Sequence, residues 1–342
     1  MRLQKNIRRA AALLAFAAAA LPFAANAQQA IRVGYFPNIT HAQALVGQAN
    51  GQFQKDFGNT ATIQWQQFNA GPAEIEAIYA GAIDIAYIGP SPTISGYMRS
   101  NGEALRVIAG AASGAASLVV RNGSGINTVN DFHGKTIATP QIGNTQDVAL
   151  REWLAIHGYK TLDKGGDVRV QPADNPDVLT LFLKGQLDAV WVPEPWATRL
   201  VHDGNGHIFL DERDLWPNHQ FVAAHVIVST KFLKAHPDLV KQFLRTHVAV
   251  TAWINANPAA AKLLINQQLQ KSTGKPLPTV ILNEAYSRLT VTYDPIASSL
   301  YTSAQHSVDA GYLRKLPDLS HLYDLTLLNQ VLVEQKKKPI TQ

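Results

Sequence analysis

The chain has 342 residues, 46% hydrophobic and 16% charged, with a formal charge of +5. Those totals suit about two packed domains and exclude a disordered or fibrous chain. It contains no cysteine, which excludes a disulfide framework, a thiolate zinc site, an iron–sulfur cluster, a cysteine nucleophile and a lipid anchor on an N-terminal cysteine.

Residues 1–27 read as an export signal. Arg2, Lys5, Arg8 and Arg9 form a basic start, residues 10–23 are almost unbroken apolar, and Ala25-Asn26-Ala27 supplies a small-x-small cleavage site. The apolar run is too short for the roughly 20 residues that span a bilayer. Removing the segment takes four basic and no acidic residues, so the charge falls to +1. A nucleic-acid footprint is therefore not expected. The expectation is a soluble, exported, monomeric protein.

From residue 31 onward, β-branched and aromatic runs alternate with amphipathic stretches, the pattern of βα units and a largely parallel sheet. Strands are expected at 31–36, 62–68, 83–88, 106–109, 117–121, 136–138, 168–170, 187–192 and 221–228. Helices are expected at 42–50, 72–79, 93–100, 146–157 and 176–183. After Pro237 strand signals stop, and long helical patterns break at Asn257-Pro258, 274–278 and Asp294-Pro295.

One segment echoes another. Ala80-Gly81-Ala82-Ile83-Asp84 and the apolar run to Ile88 lead into Gly89-Pro90-Ser91-Pro92. About a hundred residues on, Lys184-Gly185-Gln186-Leu187-Asp188 and the run to Val192 lead into Pro193-Glu194-Pro195-Trp196. Each reads as a glycine-capped helix, a tight turn, a buried strand and a proline-rich loop opening another helix. Two such units favour two similar α/β lobes with a hinge and a ligand cleft between them. Crossovers near 110–116 and 216–224 assign residues 28–112 plus 222–342 to a discontinuous lobe one, and 113–221 to lobe two.

Four loops would meet at that cleft: Pro37 to His41, Gly89 to Thr93, Ala112 to Gly114, and Ile142 to Asp147. Asn38, Thr40, Ser91, and Asn144 or Thr145 are good helix caps, and either ordinary capping or ligand contact accounts for them. Together they suit a small oxyanion held by neutral donors and helix dipoles. No P-loop and no Gly-x-Ser-x-Gly elbow is present. Glu194 would accept from a ligand amine or brace a hinge, and Trp196 would wall the cleft or join the core. His202, His207, His219 and His225 lack metal-ligand spacing, so neither a metal nor another cofactor is expected.

These residues carry a resemblance. The opening strand Ile31 to Tyr35, the two echo segments, and Asp131-Phe132-His133-Gly134-Lys135 before a strand resemble periplasmic binding proteins of the nitrate, sulfonate and taurine class of ABC importers. The resemblance runs over most of the chain to about residue 260. It implies a hinged receptor that performs no reaction, closes on a small anionic, sulfonate-like solute and delivers it to a membrane permease. Carried over, the binding positions are Asn38, Thr40, His41, Ser91, Ser113, Asn144, Thr145, Gln146 and Glu194. Members often have Trp-Asp-Pro where this chain has Val192-Pro193-Glu194-Pro195, which leaves the headgroup open. Competing implications are a thiamine-pyrimidine precursor, held by stacking on Tyr35, Phe36, Tyr87 or Trp191, or nitrate or bicarbonate. Enzymes of the same superfamily rely on cysteine.

Overall fold

A computed structural model describes residues 28–341; the expected export signal lies outside the described residues. In chain order the strands are β1 Gln29–Tyr35, β2 Ala61–Gln67, β3 Ile85–Ile88, β4 Leu105–Gly114, β5 Ala116–Arg121, β6 Thr136–Thr139, β7 Arg169–Pro172, β8 Ala189–Pro193, β9 Gly206–Asp211, β10 Val222–Ser229 and β11 Leu289–Val291. They form a six-stranded sheet ordered β11-β4-β10-β3-β1-β2 and a five-stranded sheet ordered β7-β6-β8-β5-β9.

The sequence echo is a topological one. In the first sheet β1 runs parallel to β2 and β3, while β10 is antiparallel to β3 and β4. In the second, β6 runs parallel to β7 and β8, while β5 is antiparallel to β8 and β9. Apart from β11, the two orders superimpose, with β3 matching β8. Within that shared order each lobe takes its antiparallel strand, β10 or β5, from the segment by which the chain crosses over.

The repeated aspartate has a physical role. Asp84 Oδ2 accepts from the Arg32 amide at 2.9 Å, and Asp188 Oδ2 accepts from the Thr136 amide at 2.9 Å. Each carboxylate also meets an arginine, Arg32 at 2.6 Å and Arg121 at 3.2 Å. Backbone bonds from Asp84 to Arg32 and from Asp188 to Thr136, both 2.8 Å, complete the pair. The motif thus ties the entering strand to its parallel neighbour, where a ladder amide would otherwise lack an acceptor.

Several elements differ from the sequence expectation. β4 runs on through Ser113 and Gly114, because β10 and β11 supply pairing partners from far along the chain. Ser113 is therefore a strand residue of the first sheet, and the chain changes sheets at Ala115, two residues beyond the expected division. β11 lies in the tail expected to be helical. The helix expected to open after the Pro193 to Trp196 loop is Trp196–His202, whereas β9 and the short helices Gln52–Phe57 and Thr230–Ala235 were not expected; each of these is too short to show a period. The expected helix at 93–100 begins at Pro90, since proline suits a first helical position.

The tail helices Pro237–Ala256 and Pro258–Thr273 cover helix Ala42–Asn50 of the first lobe, whereas Thr279–Ser287 and Ala297–Asp309 pack on helices Trp196–His202 and Thr145–Ile156 of the second. Among the described residues no single helix is long and apolar enough to cross a membrane.

Beneath helix Gly71–Tyr79 the first core holds a carboxyl group. Glu74 is fully buried, and neither oxygen has a hydrogen-bond partner among the described residues. It fits because Gly34 of β1 has no side chain; a Cβ there would strike its carboxyl oxygen. Burial pushes the Glu74 carboxyl well above its ordinary 4.5. The folded protein therefore retains a proton that the unfolded chain releases above that value, and stability falls as pH rises from there. Glu74→Gln removes this slope. Urea unfolding should show the variant gaining on wild type between pH 5 and pH 8, whereas a constant difference would contradict the assignment.

Candidate functional site

The segments that follow β1, β3, β6 and β8 line a single cleft between the sheets, at the carboxyl ends of parallel strands. Phe36, Asn38, Thr40 and His41 come from the first segment. Gly89 and Pro92 follow β3, and Asn144, Thr145 and Gln146 follow β6. Pro193 ends β8, and Gly71, Ala115, Ala116 and Ala223 complete the wall. Helices Gly71–Tyr79, Pro90–Arg99 and Thr145–Ile156 all start there, so three positive dipole ends meet at the cleft. The cavity measures about 30 Å³, which suits a compact headgroup of a few atoms.

Among the described residues no Asp, Glu, Lys or Arg lines the cavity, and the ionisable group found there, His41, is held neutral. His41 is buried, and burial pushes its imidazole down to about 3. Its Nδ1 accepts from the Phe36 amide at 2.9 Å. The neutral ring must then carry its hydrogen on Nε2, which makes it an uncharged donor. Phe36 packs against the ring at a tilt of 31°, with centroids 4.5 Å apart, and restrains its plane.

Asn144 caps helix Thr145–Ile156 by accepting from the Asp147 amide at 2.8 Å, and its Nδ2 donates to Gln146 Oε1 at 3.0 Å. That bond leaves the Gln146 Nε2 donors for the cleft. Thr145 is the most informative residue: its Oγ1 is buried with no hydrogen-bond partner among the described residues. A Cβ on Gly89 would collide with that oxygen, so glycine lets helix starts from opposite lobes meet here. A buried orphan hydroxyl is costly unless something else completes it.

Six of the ten expected positions line the cavity, and four do not. Ser91 is buried in the first turn of its helix, where Gly89 and not Ser91 is the N-cap. Ser113 accepts from the Phe221 amide at 3.2 Å within the first sheet. Trp196 is buried in the core of the second lobe, and its Nε1 donates across the lobes to Asn38 Oδ1 at 3.0 Å. Asn38 is thereby a bridge between lobes and makes no helix-cap bond. The Ile39 amide, 3.2 Å from the Glu194 carbonyl, adds a second bridge.

The Glu194 carboxylate is fully buried and fully engaged. It accepts from the Thr198 amide at 3.0 Å, the Thr198 hydroxyl at 2.8 Å and Arg288 Nη1 at 3.0 Å. Arg288 precedes β11 and also pairs with Glu284 at 2.9 Å. Of the two roles open from sequence, the geometry gives Glu194 the brace between second lobe and tail. Burial pushes its carboxyl up, against Thr198 and Arg288.

The aromatics that a pyrimidine would need are mostly spent in the cores. The Tyr87 hydroxyl bonds His247 at 2.9 Å, Trp191 donates to Glu212 at 2.8 Å, and Tyr35 packs edge-on to Trp65. Only Phe36 reaches the cleft. The four grouped histidines separate: His225 is buried against Thr93, whereas His202, His207 and His219 meet Glu284, Asn122 and Asp214. Gly71, Ala115, Ala116 and Ala223 were not foreseen. Small residues carry no chemical signal in a sequence, and only the approach of the lobes makes them walls.

Two α/β lobes of matching topology around an interlobe cleft make this a periplasmic-binding-protein fold. The chain belongs to the NMT1-like family, whose model matches residues 24–267. It is 27% identical over 251 residues to the taurine-binding periplasmic protein of Escherichia coli (strain K12), covering 70% of this chain and 72% of that protein. Its fold matches the alkanesulfonate-binding protein SsuA from Xanthomonas axonopodis pv. citri bound to MOPS, with TM-score 0.69 and 22% identity over 84% of this chain and 94% of that one. It also matches the periplasmic nitrate-binding protein NrtA from Synechocystis PCC 6803, with TM-score 0.75 and 15% identity over 90% and 89% of the two chains.

If Glu194 is a brace, Glu194→Gln should lower the unfolding free energy by about 1–3 kcal/mol, the range for a buried group losing a charged partner. Chemical denaturation measures this, and a change within error would leave the brace without energetic content.

Proposed function

We propose that the protein is an exported solute receptor of an ABC importer, which captures a small oxyanion between residues 28–114 plus 222–341 and residues 115–221. The ligand class is an organosulfonate or a related oxyanion. One observation carries the reading: the cleft offers donors without charge, centred on the orphan hydroxyl of Thr145. Asn38 Nδ2, Thr40, His41 Nε2, Thr145 and Gln146 Nε2 can all donate, and three helix starts add their dipoles. A sulfonate carries only acceptors at neutral pH, so such a ring suits it. The proteins similar to this chain include ones named as binding taurine, alkanesulfonates and nitrate, which supports the reading.

The site refines the class further. Recognition of an ammonium group needs an acceptor of matching charge, and no carboxylate lines the cavity. Glu194, the nearest candidate by sequence, is held by Arg288. An alkanesulfonate is therefore favoured over an aminosulfonate such as taurine. Catalysis finds no support: His41 is neutral with Nδ1 engaged, and Glu194 is tied down. Export to the periplasm is supported by the N-terminal pattern and by the periplasmic relatives.

Two measurements test this function. In a thermal-shift panel of alkanesulfonates, taurine, sulfate esters, nitrate, bicarbonate and pyrimidine precursors, alkanesulfonates should raise the melting temperature most, because a ligand that binds only the folded state stabilises it. The shift should hold between pH 5.5 and pH 8, since His41 stays neutral there. Stabilisation by pyrimidines alone would overturn the reading. Separately, Thr145→Val should weaken binding of the best oxyanion about tenfold to a hundredfold, the value of a hydrogen bond to a charged group. It should leave the ligand-free protein as stable or more so, because a methyl replaces an orphan hydroxyl. Unchanged affinity would remove Thr145 from the site.

A further inference from the structure

The loop that supplies Asn144, Thr145 and Gln146 is held from beneath by one carboxylate. Asp147 is fully buried; it accepts from the Gly143 amide at 2.9 Å, from the Thr139 hydroxyl at 3.1 Å and from Arg151 Nε at 3.3 Å. Its own amide donates to the Asn144 cap. These bonds lie within the second lobe. The remaining partner does not: the hydroxyl of Tyr312, in the tail that follows helix Ala297–Asp309, donates to Asp147 Oδ2.

The same turn of the tail makes a second tie. Lys164 Nζ donates to the Ala310 carbonyl at 2.7 Å, and Gly311, at φ +83°, brings the chain so close that a Cβ would lie 3.0 Å from Lys164 Nζ. A Cβ on Gly143 would touch the Tyr312 ring at 3.7 Å. The helix leading into this turn is anchored in the first lobe, where Ser299 accepts from the Val222 amide of β10 at 2.9 Å. One tail element therefore holds the first sheet at one end and the ligand loop of the second lobe at the other.

We propose that Tyr312 is a positioning residue for the ligand site, a latch by which the tail fixes the Gly143 to Gln146 loop and favours the closed lobes. This rests on the receptor function proposed above. It acts through Asp147 and does not touch ligand. When the lobes part, the Tyr312 to Asp147 bond must break, leaving a buried carboxylate short of a donor; closure restores it. The latch therefore adds to the closed population and slows ligand escape without entering the cavity.

The absence of cysteine permits a direct test, because two introduced thiols are the sole labelling sites. Asn59→Cys and Lys184→Cys place spin labels on exposed positions, one in each lobe. In the ligand-free protein, Tyr312→Phe should shift the inter-label distances toward longer values. Lys164→Met, at an exposed residue, should do the same to a smaller extent and guards against a folding defect in the first variant. With the best alkanesulfonate of the panel, Tyr312→Phe should raise the dissociation rate about tenfold with an unchanged association rate, as expected when only the closed state loses a bond. A residue of merely structural value would lower the melting temperature and leave that rate ratio alone. Unchanged distances overturn the latch, and longer distances with an unchanged dissociation rate overturn its role in positioning. If wild type binds no oxyanion, the receptor function fails, and the ligand-free distances alone then decide whether the latch exists.

Discussion

Two consecutive left-handed residues set the relation between the lobes. Gly114 and Ala115 have φ of 76° and 62°, and they turn the chain from the end of β4 in one sheet to the start of β5 in the other. For alanine that conformation costs about 1–2 kcal/mol, and the surroundings hold it in place. The Ala115 carbonyl accepts from the Glu194 amide at 2.8 Å, Gly114 pairs with Leu289 of β11, and both residues are buried. A Cβ on Gly114 would press on the Arg288 carbonyl, so the sharper of the two positions must be glycine. Because the corner is this tight, the carboxyl ends of both sets of parallel strands face each other across a narrow gap. The cleft is a consequence of that turn.

Facing strand ends bring facing helix starts, and this decides the chemistry. The walls carry amide donors, hydroxyls and dipole ends, with the side-chain charges paired elsewhere. Such a surface stabilises an acceptor-rich anion without a counter-ion, and it avoids the desolvation cost of a buried lysine or arginine. Glu194 and Arg288 illustrate the separation. Glu194 directly follows Pro193 of the cleft wall, yet Arg288 arrives from far along the chain to satisfy it, and their pairing welds the second lobe to the tail.

The tail is more than a cover for the first core. Its earlier helices pack on Ala42–Asn50, but the later ones reach the second lobe at Arg288 and again at Tyr312. The molecule therefore has two covalent crossings, and the tail adds non-covalent ties at Arg288 and Tyr312 to the bridges that Asn38 and Ile39 make between the lobes. Ties of the latter kind can break and re-form while the crossings bend, which is what a receptor that opens and closes needs.

Much of this was legible in the sequence wherever a local signal exists. The period of apolar residues marked most strands of both sheets, and the Gly-x-apolar-Asp echo marked the two lobes, because glycine caps and strand-starting aspartates act within a few residues of themselves. The loops after β1, β3 and β6 were likewise visible as capping segments, and eight of their residues line the cleft. What tertiary structure alone decided is which polar group each of these residues meets. Ser113 became a strand residue because β10 and β11 arrive from far along the chain; Trp196 bonded Asn38 across the lobes instead of walling the cavity; Glu194 met Arg288, and Asp147 met Tyr312. A sequence encodes the shape of its own neighbourhood, whereas hydrogen-bond partners distant in the chain are assigned by how the lobes and tail pack. For the same reason the orphaned hydroxyl of Thr145, on which the functional assignment turns, became visible only once the neighbouring loops of both lobes were in place around it.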